Sequence, residues 1–239
     1  MVAIKNLIAA AAASYLGSGY DWAGQSPNGI AFCSLDKFVP MFPSGQTQLV
    51  VPSEPPKFLG LAFGVQNYTC SSSNNYTNVG AVAELLDVSC IASESYFSTI
   101  QNDLYQVWEI IPQPIQAIID VLHFLNPPTV LSQHFFQPNP VTGSGVSPVW
   151  DFRSNPRFKG HDDAFILAKG NGSIPSPQDP SKDVAWLHVV NVQGDIATDV
   201  FRFDTVGGQP PTSCKYGTDK DISVKYVSKY IFYGGSLNY

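Results

Sequence analysis

Apolar positions recur along this chain with two different periods, and the change of period marks its parts. Phe58 to Cys70 reads as a strand: Val65, Asn67 and Thr69 fall on one side, Gln66, Tyr68 and Cys70 on the other. A polar turn, Ser71 to Asn78, follows. Val79 to Cys90 fits helix or strand; its shortness and the turn before it favour strand. Then the period lengthens. Phe97, Ile100, Leu104, Val107, Trp108 and Ile111 stand three or four residues apart, as one face of a helix requires. Pro112 and Pro114 interrupt it, Ile115, Ile118, Ile119, Leu122 and Leu125 resume it, and Asn126-Pro127-Pro128 ends it. Residues 96–125 are therefore expected to form two short helices with a bent joint. They would pack on a sheet as core or lie as a lid over an apolar cavity.

Alternation returns in Val130–Phe136, Val149–Arg153, Ala164–Lys169, Val184–Val192, Ala197–Val206 and Ile222–Tyr233, with a Pro/Gly/Ser loop expected over residues 170–183. In Val184–Val192, Trp186, His188 and Val190 share a face opposite Leu187 and Val189. Many short strands, Gly/Pro turns and one helical insertion predict a mainly β fold, an antiparallel β-barrel or sandwich with a two-helix insertion.

The first residues have another character. Lys5 precedes an apolar, alanine-rich run, Leu7 to Leu16, followed by Gly17, Ser18 and Gly19. That pattern reads as a secretory signal peptide over residues 1–19. The run is short of the roughly 20 apolar residues a membrane span needs. An extended Pro/Gly/Ser-rich arm (20–57) and a single β domain (58–239) would complete the chain. A secreted, extracellular or cell-wall-associated protein is expected, and the triplets beginning at Asn67, Asn75 and Asn171 become N-glycosylation acceptors.

Composition narrows the partners. Charged residues are only 13% and the net charge is -6, against about 25% charged in an ordinary domain. No Lys/Arg cluster exists to grip a phosphate backbone or an anionic membrane, so neither nucleic acid nor membrane insertion is expected. Four cysteines, Cys33, Cys70, Cys90 and Cys214, suit two disulfides with three possible pairings. No CxxC or clustered Cys/His spacing supports a metal site, and no cofactor is expected.

Candidate chemistry is thin. No G-x-S-x-G elbow occurs. His161-Asp162-Asp163 reads as a solvated turn and His123 as a helix-surface residue. Glu84 and Asp87, three apart on a strand, face opposite sides; Arg202 and Asp204 share a face and suggest a salt bridge. The best candidates are His134, Trp150 and Asp151. If their strands pair, an imidazole, an indole and a carboxylate would meet at one concave end and suit a carbohydrate or small-molecule ligand. Trp186 and His188 are the second candidate pair. Catalysis on a carbohydrate or metabolite by His134 and Asp151, and an apolar-ligand carrier under a helical lid, are the alternatives. The oligomeric state is not legible.

The order and spacing of GVQNYTC (64–70), AVAELLDVSC (81–90), HFFQPNPVTGSGVSPVW (134–150), VAWLHVV (184–190), FRFDTVGGQPP before Cys214, and YVSKYIFYGG (226–235) resemble the domain of unknown function 3455 family. These are secreted fungal and bacterial proteins, and the long form with Cys33 is similar to the filamentous-fungal members. The resemblance implies Cys70–Cys214 and Cys33–Cys90; the local pairing, Cys70–Cys90 with Cys33–Cys214, stays open. Some members carry a malate dehydrogenase label. This chain lacks the G-x-G-x-x-G turn and the alternating βαβ units that NAD binding needs.

Overall fold

The computed structural model describes residues 33–237 apart from 126, 128 and 141. The expected signal peptide and the start of the arm lie outside the described residues. Eight strands form a closed antiparallel barrel in simple chain order: β1 (Phe58–Cys70), β2 (Tyr76–Asp87), β3 (Val130–Pro138), β4 (Val146–Asp151), β5 (Phe165–Ile174), β6 (Trp186–Gln193), β7 (Asp199–Gly207) and β8 (Ile222–Tyr233). Closure comes from β1 pairing with β8, from Phe58 opposite Phe232 to Tyr68 opposite Ile222. Closing the sheet removes the exposed edges that an open one would present.

The interior fills by compensation of size. Gly60, Ala62 and Gly64 on β1 and Ala81 and Ala83 on β2 make room for Trp150, Tyr226, Tyr230 and Phe232. At Gly64 an added Cβ would lie 2.2 Å from the Val82 carbonyl oxygen, so a side chain there would push two strands apart.

The other face of the wall is also covered. Two helices, α1 (Ile100–Ile110) and α2 (Ile115–Leu125), are inserted between β2 and β3. Their apolar stripe buries Trp108, Ile115, Ile118, Ile119 and Leu122 against Leu59, Leu61, Phe63, Val227 and Ile231 on the outside of β1 and β8. This is why β1 is buried from Phe58 to Gln66 without alternation. Two polar contacts seat α1. The Trp108 indole donates to the Gly64 carbonyl at 2.8 Å. Lys225 Nζ donates to the carbonyls of Trp108, Glu109 and Ile111 at 3.0, 3.1 and 2.5 Å, capping the negative end of the helix.

The arm crosses the outside of β6 and β7, where Phe42 packs on Trp186, Phe201 and Phe203. One disulfide, Cys33–Cys90, ties the arm to the 3-10 turn after β2; the other, Cys70–Cys214, ties the end of β1 to the β7–β8 connection.

Two local expectations are corrected. The loop expected from residue 170 begins later, because β5 continues to Ile174 through register shifts. The Arg202–Asp204 salt bridge does not form. Asp204 has a positive φ of 48° within a bulge of β7. The bulge breaks the two-residue alternation, and Asp204 instead accepts from Lys229 Nζ at 2.8 Å.

Candidate functional site

His134 and Trp150 are directly opposite each other on β3 and β4. Both face the barrel interior, stacked with ring centroids 4.4 Å apart and planes 13° from parallel. The aromatic faces thus serve each other. His134 Nδ1 lies 2.8 Å from the Val149 carbonyl oxygen. A carbonyl only accepts, so Nδ1 carries the proton and Nε2 keeps its lone pair. Burial drives the imidazole down to about 3, from an ordinary 6.5. It is neutral across the physiological range. Asp151 is on the opposite face of β4, where both carboxylate oxygens bind Arg153 at 2.9 and 2.6 Å. The wall separates it from His134.

Trp186 and His188 belong to the outer face. Trp186 is buried under Phe42 of the arm. His188 stacks on Phe201 at 4.2 Å, with Nε2 2.7 Å from Asp199 Oδ1 and Nδ1 3.0 Å from the Asn171 amide nitrogen. Asn171 donates, so Nδ1 accepts and Nε2–H donates to Asp199, which satisfies both ring nitrogens. The ligand candidates therefore divide into an inner pair and an outer pair with the barrel wall between. Among the described residues no group of three or more His, Cys, Asp or Glu is placed to hold a metal ion.

The two ends of the interior differ. Where β1 starts and β8 ends, Phe58, Phe152, Phe158 and Phe232 pack edge-to-face and tilted, at 5.2 to 6.4 Å. This floor is closed and apolar. Toward the other end, the mouth, the lining turns polar. Tyr68 donates to the Gly208 carbonyl at 2.7 Å, the Tyr226 and Tyr230 hydroxyls stand 3.4 Å apart, and Gln66 is buried. Arg202 is opposite Leu187 and Tyr230 in the ladder and is 9% exposed. Its Nε and Nη2 both donate to the Ala185 carbonyl, at 3.0 and 2.8 Å. Its positive charge helps hold the neighbouring His134 neutral.

Across the interior from β1 and β8, between β4 and β5, the wall is parted. β4 and β5 pair only over Val149–Leu167, Trp150–Ile166 and Asp151–Phe165. Toward the mouth β4 continues on β3, and β5 on β6, with no ladder between β4 and β5. Pro148, which has no N–H to offer, sits at the parting. The gap is a cleft of about 420 Å³. Phe136, Pro148, Gly170, Leu187 and Val189 form its apolar walls, and Asn171 and His188 are on its rim.

Reasoning from sequence overlooked Arg202, Gln66, Pro148 and Gly170 as site residues. A usable signal existed for Arg202: a charged residue between Phe201 and Phe203 in an otherwise apolar strand.

What the structure defines is a closed up-and-down β-barrel with a sealed floor, a polar mouth and a parted seam. A family model described as a protein of unknown function (DUF3455) matches residues 52–234, and the chain belongs to that family. No curated protein and no solved structure matches it.

Proposed function

We propose that this is a secreted, N-glycosylated binding protein that admits a small ligand through the parted seam between β4 and β5. The observation that carries the reading is the cleft itself. An open, mainly apolar cleft that also has Asn171, Ser173 and His188 in its lining combines the apolar surface and the few polar groups that a small-molecule site uses. The two disulfides suit an oxidising compartment. Asn75 and Asn171 are exposed, as glycan acceptors must be. The helices do not favour a lidded carrier: α1 lies on β1, β7 and β8, across the barrel from the seam. His134 and Asp151, on opposite faces of the wall, do not favour shared acid–base work.

Gly170 supplies the test. Gly170 is in the cleft lining and an added Cβ there meets nothing within 4 Å, so a side chain can be introduced at this position without a clash at its Cβ. Native mass spectrometry and ligand-observed NMR with a panel of neutral saccharides and small amphipathic compounds should detect a ligand on the wild-type protein. Gly170→Phe should abolish its binding with no fall in melting temperature. Equal binding by wild type and Gly170→Phe would put the ligand elsewhere, and no binding by the panel would remove the reading.

A further inference from the structure

Resting on the cleft reading, we infer that its ligand is an anion: an apolar body that sits between β4 and β5 and a carboxylate that is received by Arg202. Arg202 is buried, at 9% exposure, yet no carboxylate among the described residues pairs with it. Asp204, two residues on, is taken by Lys229. Burying an unpaired cation is costly, and a strand position flanked by Phe201 and Phe203 would take an apolar residue at lower cost. Two of its N–H groups share one acceptor, the Ala185 oxygen. A guanidinium has five N–H donors. No other hydrogen bond from it is made to the described residues, so donors remain for a planar, two-oxygen partner.

The surroundings match. Trp150 Nε1 is a buried donor with no hydrogen-bond partner among the described residues. Trp150 packs on Tyr230, which is opposite Arg202 in the ladder. The spare guanidinium N–H groups and the unmet indole N–H both favour an acceptor-rich group. The route is short. Leu187 lines the cleft and is the direct cross-strand partner of Arg202, and such pairs have Cβ atoms about 5 Å apart. A neutral His134 adds no second positive charge, so one negative charge is the match.

Octanoate and octan-1-ol share one apolar body and differ in the head, so they separate the two readings. Isothermal titration of the full secreted chain should show octanoate binding at least tenfold more tightly than octan-1-ol. Arg202→Gln should lose that preference, and Arg202→Lys, which keeps the charge without the fork, should fall between. The wild-type comparison needs no variant and decides the question even if Arg202→Gln fails to fold. Equal affinity for the two compounds, or an undiminished preference in Arg202→Gln, would overturn the anion assignment. If octan-1-ol then proves sensitive to Gly170→Phe, the cleft reading survives alone. Binding of neither compound also overturns the assignment, and the broader panel judges the cleft separately.

Discussion

The floor and the mouth of this barrel are built from the same strands, and they have opposite chemistry. At the floor four phenylalanines close the interior, each in contact with others of the group. At the mouth the corresponding positions hold Gln66, Tyr68, Tyr226 and Arg202, and the wall parts at the seam between β4 and β5. An apolar cluster gains from every contact made in the dry. A buried polar cluster is stabilising only when its partners are complete. Stability is therefore expected to concentrate at the floor and recognition at the mouth.

The largest expected effect tests that division directly. Phe152→Ala removes a fully buried ring from the floor and should cost about 3–5 kcal/mol in urea unfolding. Leu187→Ala, at the half-buried cleft wall, should cost less than half as much. Equal losses would erase the distinction. Next in size is the Cys70–Cys214 disulfide, which ties β1 to the β7–β8 connection near the mouth over a sequence separation of 144. Replacing both cysteines by serine should cost about 2–5 kcal/mol. Hydrogen-exchange protection should fall first at the mouth and last around Phe58 and Phe232.

A pH series sharpens the contrast between the two sides of the wall. His134 faces inward. Glu84, on β2, faces outward and is fully buried, with both carboxylate oxygens unbonded and His123 Nε2 3.3 Å away. Burial raises Glu84 to about 8 from an ordinary 4.5. The native state holds that proton longer than the unfolded chain, so stability declines as pH rises from about 4.5 to about 8. For His134, lowered to about 3 from 6.5, the unfolded chain binds the proton first, so stability declines as pH falls from about 6.5 to about 3. Between 4.5 and 6.5 the two slopes oppose and cancel. Melting temperature should therefore show a plateau there and fall on both sides. Glu84→Gln should remove the alkaline decline, on the order of a few kcal/mol. A decline that persists in Glu84→Gln would place its origin elsewhere.

The smallest effect compares two glycines of one strand. Gly170 has open space around it, so Gly170→Ala should stabilise by about 0.4–1 kcal/mol through the unfolded chain. At Gly172 an added Cβ would lie 2.2 Å from the Gln48 carbonyl oxygen of the arm. Gly172→Ala should therefore destabilise, by about 1–3 kcal/mol, as the arm is forced off β5. Thermal melts of the two variants with opposite signs would confirm that the arm, not the strand, limits that position.

Much of the wall was legible because it follows local rules. Alternation located the strands to within a few residues, and the three- and four-residue spacing from Phe97 to Leu125 located the helices, with Pro112 and Pro114 at the break. The misreadings came where a neighbour or an irregularity overrode alternation. A bulge turned Asp204 away from Arg202, and pairing with β6 carried β5 through Asn171, where glycine and serine suggested loop. Among the candidate site residues, parity correctly put Trp186 and His188 on one face and Leu187 and Val189 on the other. It carried no information on which face was the interior.

The sequence by itself determined the class: period-two strands, a period-3.6 insertion and an apolar content large enough to bury both faces of a sheet. These are properties of residues close together in the chain, where backbone geometry alone relates one side chain to the next. Only the tertiary structure decided that β1 and β8 meet, that β4 and β5 part after three pairs, and that Arg202 is enclosed without a carboxylate. Closure of a barrel depends on stagger and tilt summed over all its strands, and the environment of a buried charge depends on residues far apart in sequence. The candidate site consists of these long-range consequences, so it became visible only with the fold.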